Sequence, residues 1–503
     1  MNNNLSINLL IVSTGLLLGI VIPMLGWQFS IFVPLGCAII LFEVKKIKKK
    51  GTFDYLTYIN VMYLIVFVLA PINLLINNES VRHYLQSYNL KTVILSVLII
   101  YIAYILIIIG YRIGMKKEES YSAIVVNRNL VNNVLKTFCI LFFAIGVTSF
   151  LFYSKIYGGI LELYKKSDFI RSGYVQNNGF IFLEHLEPYI LLSSWILFSF
   201  LITKKRKIII MILSLLSLII SMTVLFSDAG RLELVYSFLP VFLSPYIIKK
   251  RLPPISLTTL FSMLAIFWFV NGDKIFSWIS YDIHIQILDH KNISFYFYSF
   301  LSEFTHPYDS LLIALDKVPS EMDFRFFKDF FYGLMSLVPE KLLGVSIPDT
   351  IASYNTYFLL GKFESTVPPG FLALLFYSFS IPGVLFGSIF FGTIIGKTEK
   401  FLLKLEFIHP FFGFAKTAVG ITFAFFIMSG EPRVYFQTWF WLFSGLFVIY
   451  WNIKIFCKSK YVFPKERSLV FPKNIGSNPI TNVTHIDIIS NVPQSTSSIR
   501  RGK

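Results

Sequence analysis

Charge is the scarcest ingredient of this chain. Only 15% of its 503 residues are Asp, Glu, Lys or Arg, against 55% that are apolar, and the mean hydropathy is +0.67. Soluble domains carry about 25% charged residues, so soluble enzymes and soluble DNA-binding factors are excluded. Cysteine is nearly absent. Cys37, Cys139 and Cys457 lie in or at the ends of apolar blocks and share no CxxC spacing, which argues against a disulfide framework or a zinc site. There is no P-loop, no GxGxxG, no HExxH and no Gly-x-Ser-x-Gly. Their absence removes ATP-driven transport, bound dinucleotides, zincin proteolysis and the common serine hydrolases. No cofactor and no metal is expected, and no internal repeat is visible. The start, MNNNLS, lacks a charged n-region and a small-residue cleavage site, so the first apolar block reads as a retained span.

What the chain does have is apolar blocks near 20 residues long, the length that crosses a roughly 30 Å hydrocarbon core as a helix. Twelve spans are expected, at 7–26, 29–42, 55–76, 92–111, 137–154, 188–202, 208–226, 232–248, 255–270, 371–396, 411–429 and 438–456. The expected fold is an all-α polytopic membrane protein. Residues 1–456 form its membrane domain, and 457–503, rich in Ser, Asn, Pro and basic residues, form a disordered cytoplasmic tail. The 27 Tyr and seven Trp suit many membrane–water boundaries. The net charge of +17 sits in short clusters between blocks, such as 45–50 and 204–207. With both termini inside, the inner segments hold roughly twice as many Lys and Arg as the outer ones, as the positive-inside rule requires. The clusters are therefore topology signals, and no nucleic-acid partner is expected.

Two outer segments are long: 154–187, and 271–370 between the ninth and tenth spans. Loops beyond about 12–15 residues are usually functional or disordered. The larger one is rich in Phe, Tyr, Leu and Ile, with helical spacing over 293–316 and 326–343. It is expected to form helices lying on the outer membrane surface, broken at Pro307, Pro319, Pro339 and Pro348.

Charge placed beside apolar spans is costly unless it is used, which singles out four outer arginines. Arg231 lies in Ser227-Asp228-Ala229-Gly230-Arg231-Leu232-Glu233, with almost no loop. There it either binds an anion at a helix start or pairs with Asp228 or Glu233. Arg433, in Gly430-Glu431-Pro432-Arg433, has a similar setting. Arg171 follows Lys165-Lys166-Ser167-Asp168-Phe169-Ile170 and suits an anion or lipid headgroups. Arg325 lies among Phe324, Phe326 and Phe327, a setting that fits interfacial anchoring or sugar stacking. The densest polar cluster is Glu303-Phe304-Thr305-His306-Pro307-Tyr308-Asp309-Ser310. Pro307 fits the first turn of a new helix. Glu303 and His306 are then candidates for a general base, or for a plain capped helix start.

Two classes fit. A transporter or flippase would bind its cargo near the midplane, at broken helices and between repeats. Here repeats are absent, the inner halves of most spans carry no charge, and the polar residues collect on the outer face. An outer-face enzyme with a lipid-bound, already activated donor fits better. The layout, with Tyr354-Asn355-Thr356, Val367-Pro368-Pro369-Gly370-Phe371 and Ile381-Pro382-Gly383-Val384-Leu385-Phe386-Gly387, resembles the Wzy-type oligosaccharide repeat-unit polymerases, or O-antigen polymerases. Where the family has an acidic residue shortly after the Pro-Gly pair, this chain has Ala373. The O-antigen ligases are similar in plan.

The resemblance implies a GT-C-like glycosyltransferase in the bacterial plasma membrane, both termini cytoplasmic. It would join undecaprenyl-diphosphate-linked oligosaccharides into a surface polysaccharide of the lipopolysaccharide or capsule type. Membrane lipids and a chain-length regulator protein would be its further partners. The leaving diphosphate needs positive charge, offered by Arg171, Arg231, Arg325 and Arg433. The acceptor hydroxyl needs a base, offered by Glu303 or His306.

Overall fold

The computed structural model describes residues 28–50, 53–76, 89–116, 128–171, 181–203, 208–226, 231–281, 293–338, 340–361 and 366–456. The expected span 7–26 and the tail 457–503 lie outside the described residues. A short 3-10 turn, Gln28–Phe32, opens into α1 (Val33–Lys50). Then come α2 (Tyr55–Leu64, a π turn at Ile65–Leu69, and Ala70–Ile76), α3 (Leu90–Met115), α4 (Arg128–Ile156) and α5 (Ile160–Arg171). Next are α6 (Tyr189–Thr203), α7 (Ile208–Phe226), α8 (Arg231–Ile248) and α9 (Ile255–Tyr281). The large loop supplies α10 (Ile293–Ser302), α11 (His306–Lys317), α12 (Lys328–Met335), α13 (Glu340–Leu343) and α14 (Ile351–Leu360). The chain closes with α15 (Phe371–Glu406), α16 (Phe411–Ser429) and α17 (Pro432–Phe456).

No strand occurs among the described residues. Nine of their helical stretches are long and apolar enough to cross a membrane. The protein is an all-α polytopic membrane protein. Of the twelve expected spans, 29–42 and 232–248 fall on helices outside those nine. The first is the turn and α1, whose last turns are lysine-rich. The second is α8, interrupted by Pro240 and Pro245.

The helices sort by what their side faces meet. α16 packs against α2, α6, α8 and α15, and 89% of its apolar window is buried. α9 is the opposite, with 12% buried, as suits contact with lipid. α7 shows the rule on one helix. Ile208, Ile209, Ile212, Leu216 and Ile219 are exposed, while Ser214, Ser217 and Ser221 are buried, the last two bonded to Ser194 of α6 at 2.8 and 3.0 Å. Lipid tails are as apolar as Leu, so small polar residues make the helix–helix face.

The tightest seam joins α3 to α15. Gly110 and Gly114 face Gly392 and Gly396, two GxxxG pairs. A Cβ on Gly110 would lie 2.1 Å from the Ile389 carbonyl oxygen, and one on Gly392 would lie 2.2 Å from that of Ile107. Only glycine allows backbones this close.

α15 is not one straight span. Phe379 (φ −160°, ψ 36°) and Ser380 (φ 53°, ψ −145°) break it. In a continuous helix, residues eight apart would be about 12 Å apart. Instead, a Cβ on Gly383 would lie 2.3 Å from the Leu375 carbonyl oxygen. The chain doubles back, and 371–378 forms a half-helix, buried throughout, packed on the start of 381–406.

The large loop also departs from expectation. α11 does not lie on a surface. Tyr308, Leu311, Leu312 and Ala314 are wholly buried, and Tyr308 meets Phe32 edge-on at 5.5 Å. The loop enters the bundle because the doubled-back helix leaves apolar surface that these side chains cover.

A site where the large loop meets the broken helix

Two ends of the bundle are distinguished by their chemistry. The lysine end carries 45–50, Lys397, Lys400 and Lys404. The loop end carries α10–α14, the kink of α15 and the turn 430–433.

The resemblance-bearing residues assemble as one joint at the loop end. Thr356 accepts the Val367 amide at 2.6 Å, and the Asn355 amide donates to the Val367 carbonyl at 2.9 Å. The His306 ring (Nδ1) pairs with the Pro368 carbonyl at 2.9 Å. The Gly370 amide donates to the Ser429 carbonyl at 3.0 Å, tying the half-helix start to the end of α16. Two glycines make this contact possible. Gly370 (φ 75°) and Gly430 (φ 52°) both occupy the left-handed region, and a Cβ on Gly430 would lie 2.1 Å from the Gly370 carbonyl carbon. A side chain at either place would be strained and would collide.

The kink is capped from the loop. Breaking α15 frees the carbonyls of Tyr377 and Ser378, and the amides of Arg325 and Phe326 donate to them at 3.0 and 2.8 Å. Phe326 (φ 48°), Phe327 (φ 61°) and Ser380 are non-glycine residues with left-handed backbone. Such strain, about 1–3 kcal/mol each, gathers at functional sites.

Arg325 then turns its guanidinium inward. Nε and Nη2 bond the Asp329 carboxylate at 2.7 and 2.9 Å, Nη2 also reaches the Asp349 carbonyl at 2.9 Å, and the group lies 5.0 Å from the Tyr354 ring centre. Burial works against its charge, but Asp329 outweighs it and raises the Arg325 pKa. Asp329 is wholly buried and also accepts the Ile351 amide at 2.8 Å.

Glu431 lies beside this pair. It is 1% exposed, and neither carboxyl oxygen has a well-formed hydrogen bond. Burial, then the Asp329 charge, pushes its pKa up to about 7. The Thr350 hydroxyl and the Arg433 and Ala352 amides face it and pull the other way. Arg433, half-buried, has no ion-pair partner among the described residues. α12 presses on this turn at Gly333, where a Cβ would lie 2.9 Å from the Pro432 carbonyl carbon.

The expected site residues therefore separate. Arg325 and Arg433 flank one buried acidic pair, Asp329 and Glu431. His306 opens α11, with Thr305 as its N-cap and Pro307 in its first turn, and belongs to the joint. Glu303 is exposed in the turn before it. Arg231 begins α8 and Arg171 ends α5, but their side chains lie outside the described ones. Glu431 escaped sequence reasoning because a turn carboxylate beside a proline looks solvated. The signal that could have found it is its adjacency to Gly430, which has to turn sharply against Gly370. No protein-family model, no characterised protein and no solved structure matches this chain.

Proposed function

We propose that the protein is a membrane glycosyltransferase that polymerises undecaprenyl-diphosphate-linked oligosaccharides on the outer face of the bacterial plasma membrane. The observation that carries this reading is Glu431, a buried carboxyl without a well-formed hydrogen bond, beside an arginine without a counter-ion among the described residues. In the proposed reaction the acceptor sugar hydroxyl attacks the anomeric carbon of the donor chain. Glu431 takes the hydroxyl proton as general base, for which a pKa near working pH is favourable. The bond from the anomeric carbon to the lipid diphosphate breaks, and the diphosphate leaves with the electron pair. Arg433 neutralises it, since a guanidinium suits bidentate phosphate contact. Arg325 holds Asp329 in place as a positioning residue. His306 fixes the joint through Pro368, and Arg171 and Arg231 remain candidate contacts for the diphosphate. The activated donor leaves no step that calls for a bound nucleotide.

A deletion strain should keep a single repeat unit on its surface glycan and lose the ladder of longer chains. Single units accumulating on the inner leaflet would replace this reading with a flippase. Loss of all polymer from its final acceptor, with the ladder intact on the lipid carrier, would replace it with a ligase. The orientation has its own test. Cysteine at Ser320 should react with an impermeant thiol reagent on intact spheroplasts, whereas cysteine at Ser120 or Ser459 should react only after permeabilisation. The reverse labelling would move the loop end to the cytoplasm and end the proposal.

A further inference from the structure

α12 and the residues that flank it divide their side chains between two faces. Asp329, Phe330 and Gly333 turn toward the protein. Phe330 meets the Phe426 ring of α16 at 6.1 Å, and a Cβ on Gly333 would lie 3.0 Å from the Phe436 ring of α17. One turn on, the Gln437 side-chain amide of α17 donates to the Ser336 carbonyl at 3.2 Å. The other face holds Phe327, Phe331, Leu334 and Val338, at helical spacing. All four are exposed, Phe331 at 63% and Leu334 at 52%. From Phe326 to Val338 the only charged residues are Lys328 and Asp329. Asp329 is wholly buried. Lys328 is exposed beside the stripe, where its long stem can carry the ammonium to water. A contiguous apolar stripe of this kind marks a contact with a membrane or a partner.

The backbone points the same way. Phe326 and Phe327 both hold left-handed backbone (φ 48° and 61°), which bulky residues rarely adopt. Their rings are exposed nonetheless, Phe326 at 59%. In water the chain would bear strained backbone and bare rings together, with nothing to offset either.

Depth decides what covers the stripe. α16 has 19 residues, so at 1.5 Å per residue it is about 28 Å long, close to the roughly 30 Å hydrocarbon core. Phe426 lies within a turn of its end at Ser429, and Pro432 to Gln437 are the opening turns of α17. Both helices are long and apolar enough to cross a membrane. α12 is held against these turns and therefore stands at the hydrocarbon edge of the loop end. Val434, on the first turn of α17, is exposed as well.

We propose that α12 is seated in the bilayer, with Phe327, Phe331, Leu334 and Val338 against the acyl chains of the leaflet at the loop end. The occupant of this face is ordinary membrane lipid, because lipid surrounds the span turns that hold the helix. Apolar faces flanked by a basic residue enter the headgroup–acyl boundary in this way. Asp329 lies on the opposite face of the same helix, so the lipid that holds the stripe also steadies the partner of Arg325. The seating does not depend on the chemistry proposed for Glu431.

The test uses the purified full-length protein in lipid nanodiscs, with Cys37, Cys139 and Cys457 replaced by Ala. Phe331→Cys and Leu334→Cys are each labelled with the fluorophore bimane, and Val338→Cys stands in if either fails to fold. Lipids carrying a nitroxide high on the acyl chain should remove most of the emission at both positions, while iodide in the buffer should leave it nearly unchanged. Ser320→Cys, exposed just after α11, should respond in the opposite sense. Emission at 331 and 334 that iodide quenches and the nitroxide does not would place the stripe in water and overturn the proposal. Emission that neither quencher reaches would overturn it too, and would assign the face to a second copy of the chain.

Discussion

At the lysine end, Lys46 spends every N–H it has on Glu43, Asp54 and Thr57. At the loop end, Glu431 is as deeply buried and holds no well-formed bond, and the Arg325 guanidinium is already engaged by Asp329. The first region uses charge to fasten helices together, with acceptors left over. The second keeps one carboxyl, Glu431, and one guanidinium, Arg433, without an ion-pair partner among the described residues, beside strained backbone. Buried charge that is fully engaged reads as structure. Buried charge held in reserve reads as chemistry.

Substituting the reserved acid should break the comparison most severely. Glu431→Gln keeps the shape and should cost about 10²–10⁴-fold in chain extension, the usual contribution of a general base, with membrane abundance unchanged. The wild-type pH profile should carry the same signature. With its pKa raised to about 7 by burial and by Asp329, Glu431 is protonated below that pH and cannot accept a proton. Activity should therefore rise as pH increases through about 7, and Glu431→Gln should lose that limb. Asp329, Arg325 and Arg433 are the charged groups beside it. A limb that survives in Glu431→Gln would assign the base elsewhere, with His306 the next candidate.

The engaged pair should answer in stability. Asp329→Ala strands Arg325 and removes the acceptor of the Ile351 amide, which should cost about 3 kcal/mol and lower the amount of protein in the membrane. Arg325→Met combined with Asp329→Leu should recover much of that abundance, because removing both partners leaves no unpaired charge. Failure of the double variant to recover would mean that Arg325 also works on substrate.

Arg433 sharpens the contrast more gently. A point-like ammonium cannot reproduce a bidentate fork. Arg433→Lys should thus shorten the ladder by about one to two decades in rate, the equivalent of a charge-assisted bond of about 1.5–3 kcal/mol. An unchanged ladder would move the diphosphate contact to Arg231 or Arg171. The smallest effect is expected at Glu303. It is exposed, so Glu303→Gln should change stability by no more than about 0.5 kcal/mol and leave the ladder intact. Loss of the ladder would restore it as the base.

The fold was largely readable from the chain because lipid enforces a length rule. The limits at 208–226 and 411–429 match α7 and α16 to the residue. What escaped was anything requiring two distant segments to be seen together. Residues 371–396 carry no charge, so their hydropathy cannot reveal that the backbone reverses at Phe379. That reversal depends on donors from Arg325 and Phe326 in another segment. The apolar helices of the large loop read as surface elements for the same reason, since an amphipathic pattern does not say whether its partner is a membrane or a half-helix. Arg325 stands out in the sequence as a charge on the outer side, with aromatic neighbours. Asp329, four residues on and therefore on the same face, was the local clue that its charge was already paired. The lysine-end contacts were hidden because Glu43, Asn60 and Glu399 each look like an isolated polar residue in or beside an apolar run.

The glycine seam has a consequence for how the protein is made. Gly110 and Gly114 can find their partners only after Gly392 and Gly396 have been synthesised, nearly 300 residues later. The first quarter of the chain must therefore wait in the membrane with its closest-packing surface uncovered. Contacts so far apart in sequence are slow to close. The central helix pair, the most intimate contact in the finished protein, is among the last to form.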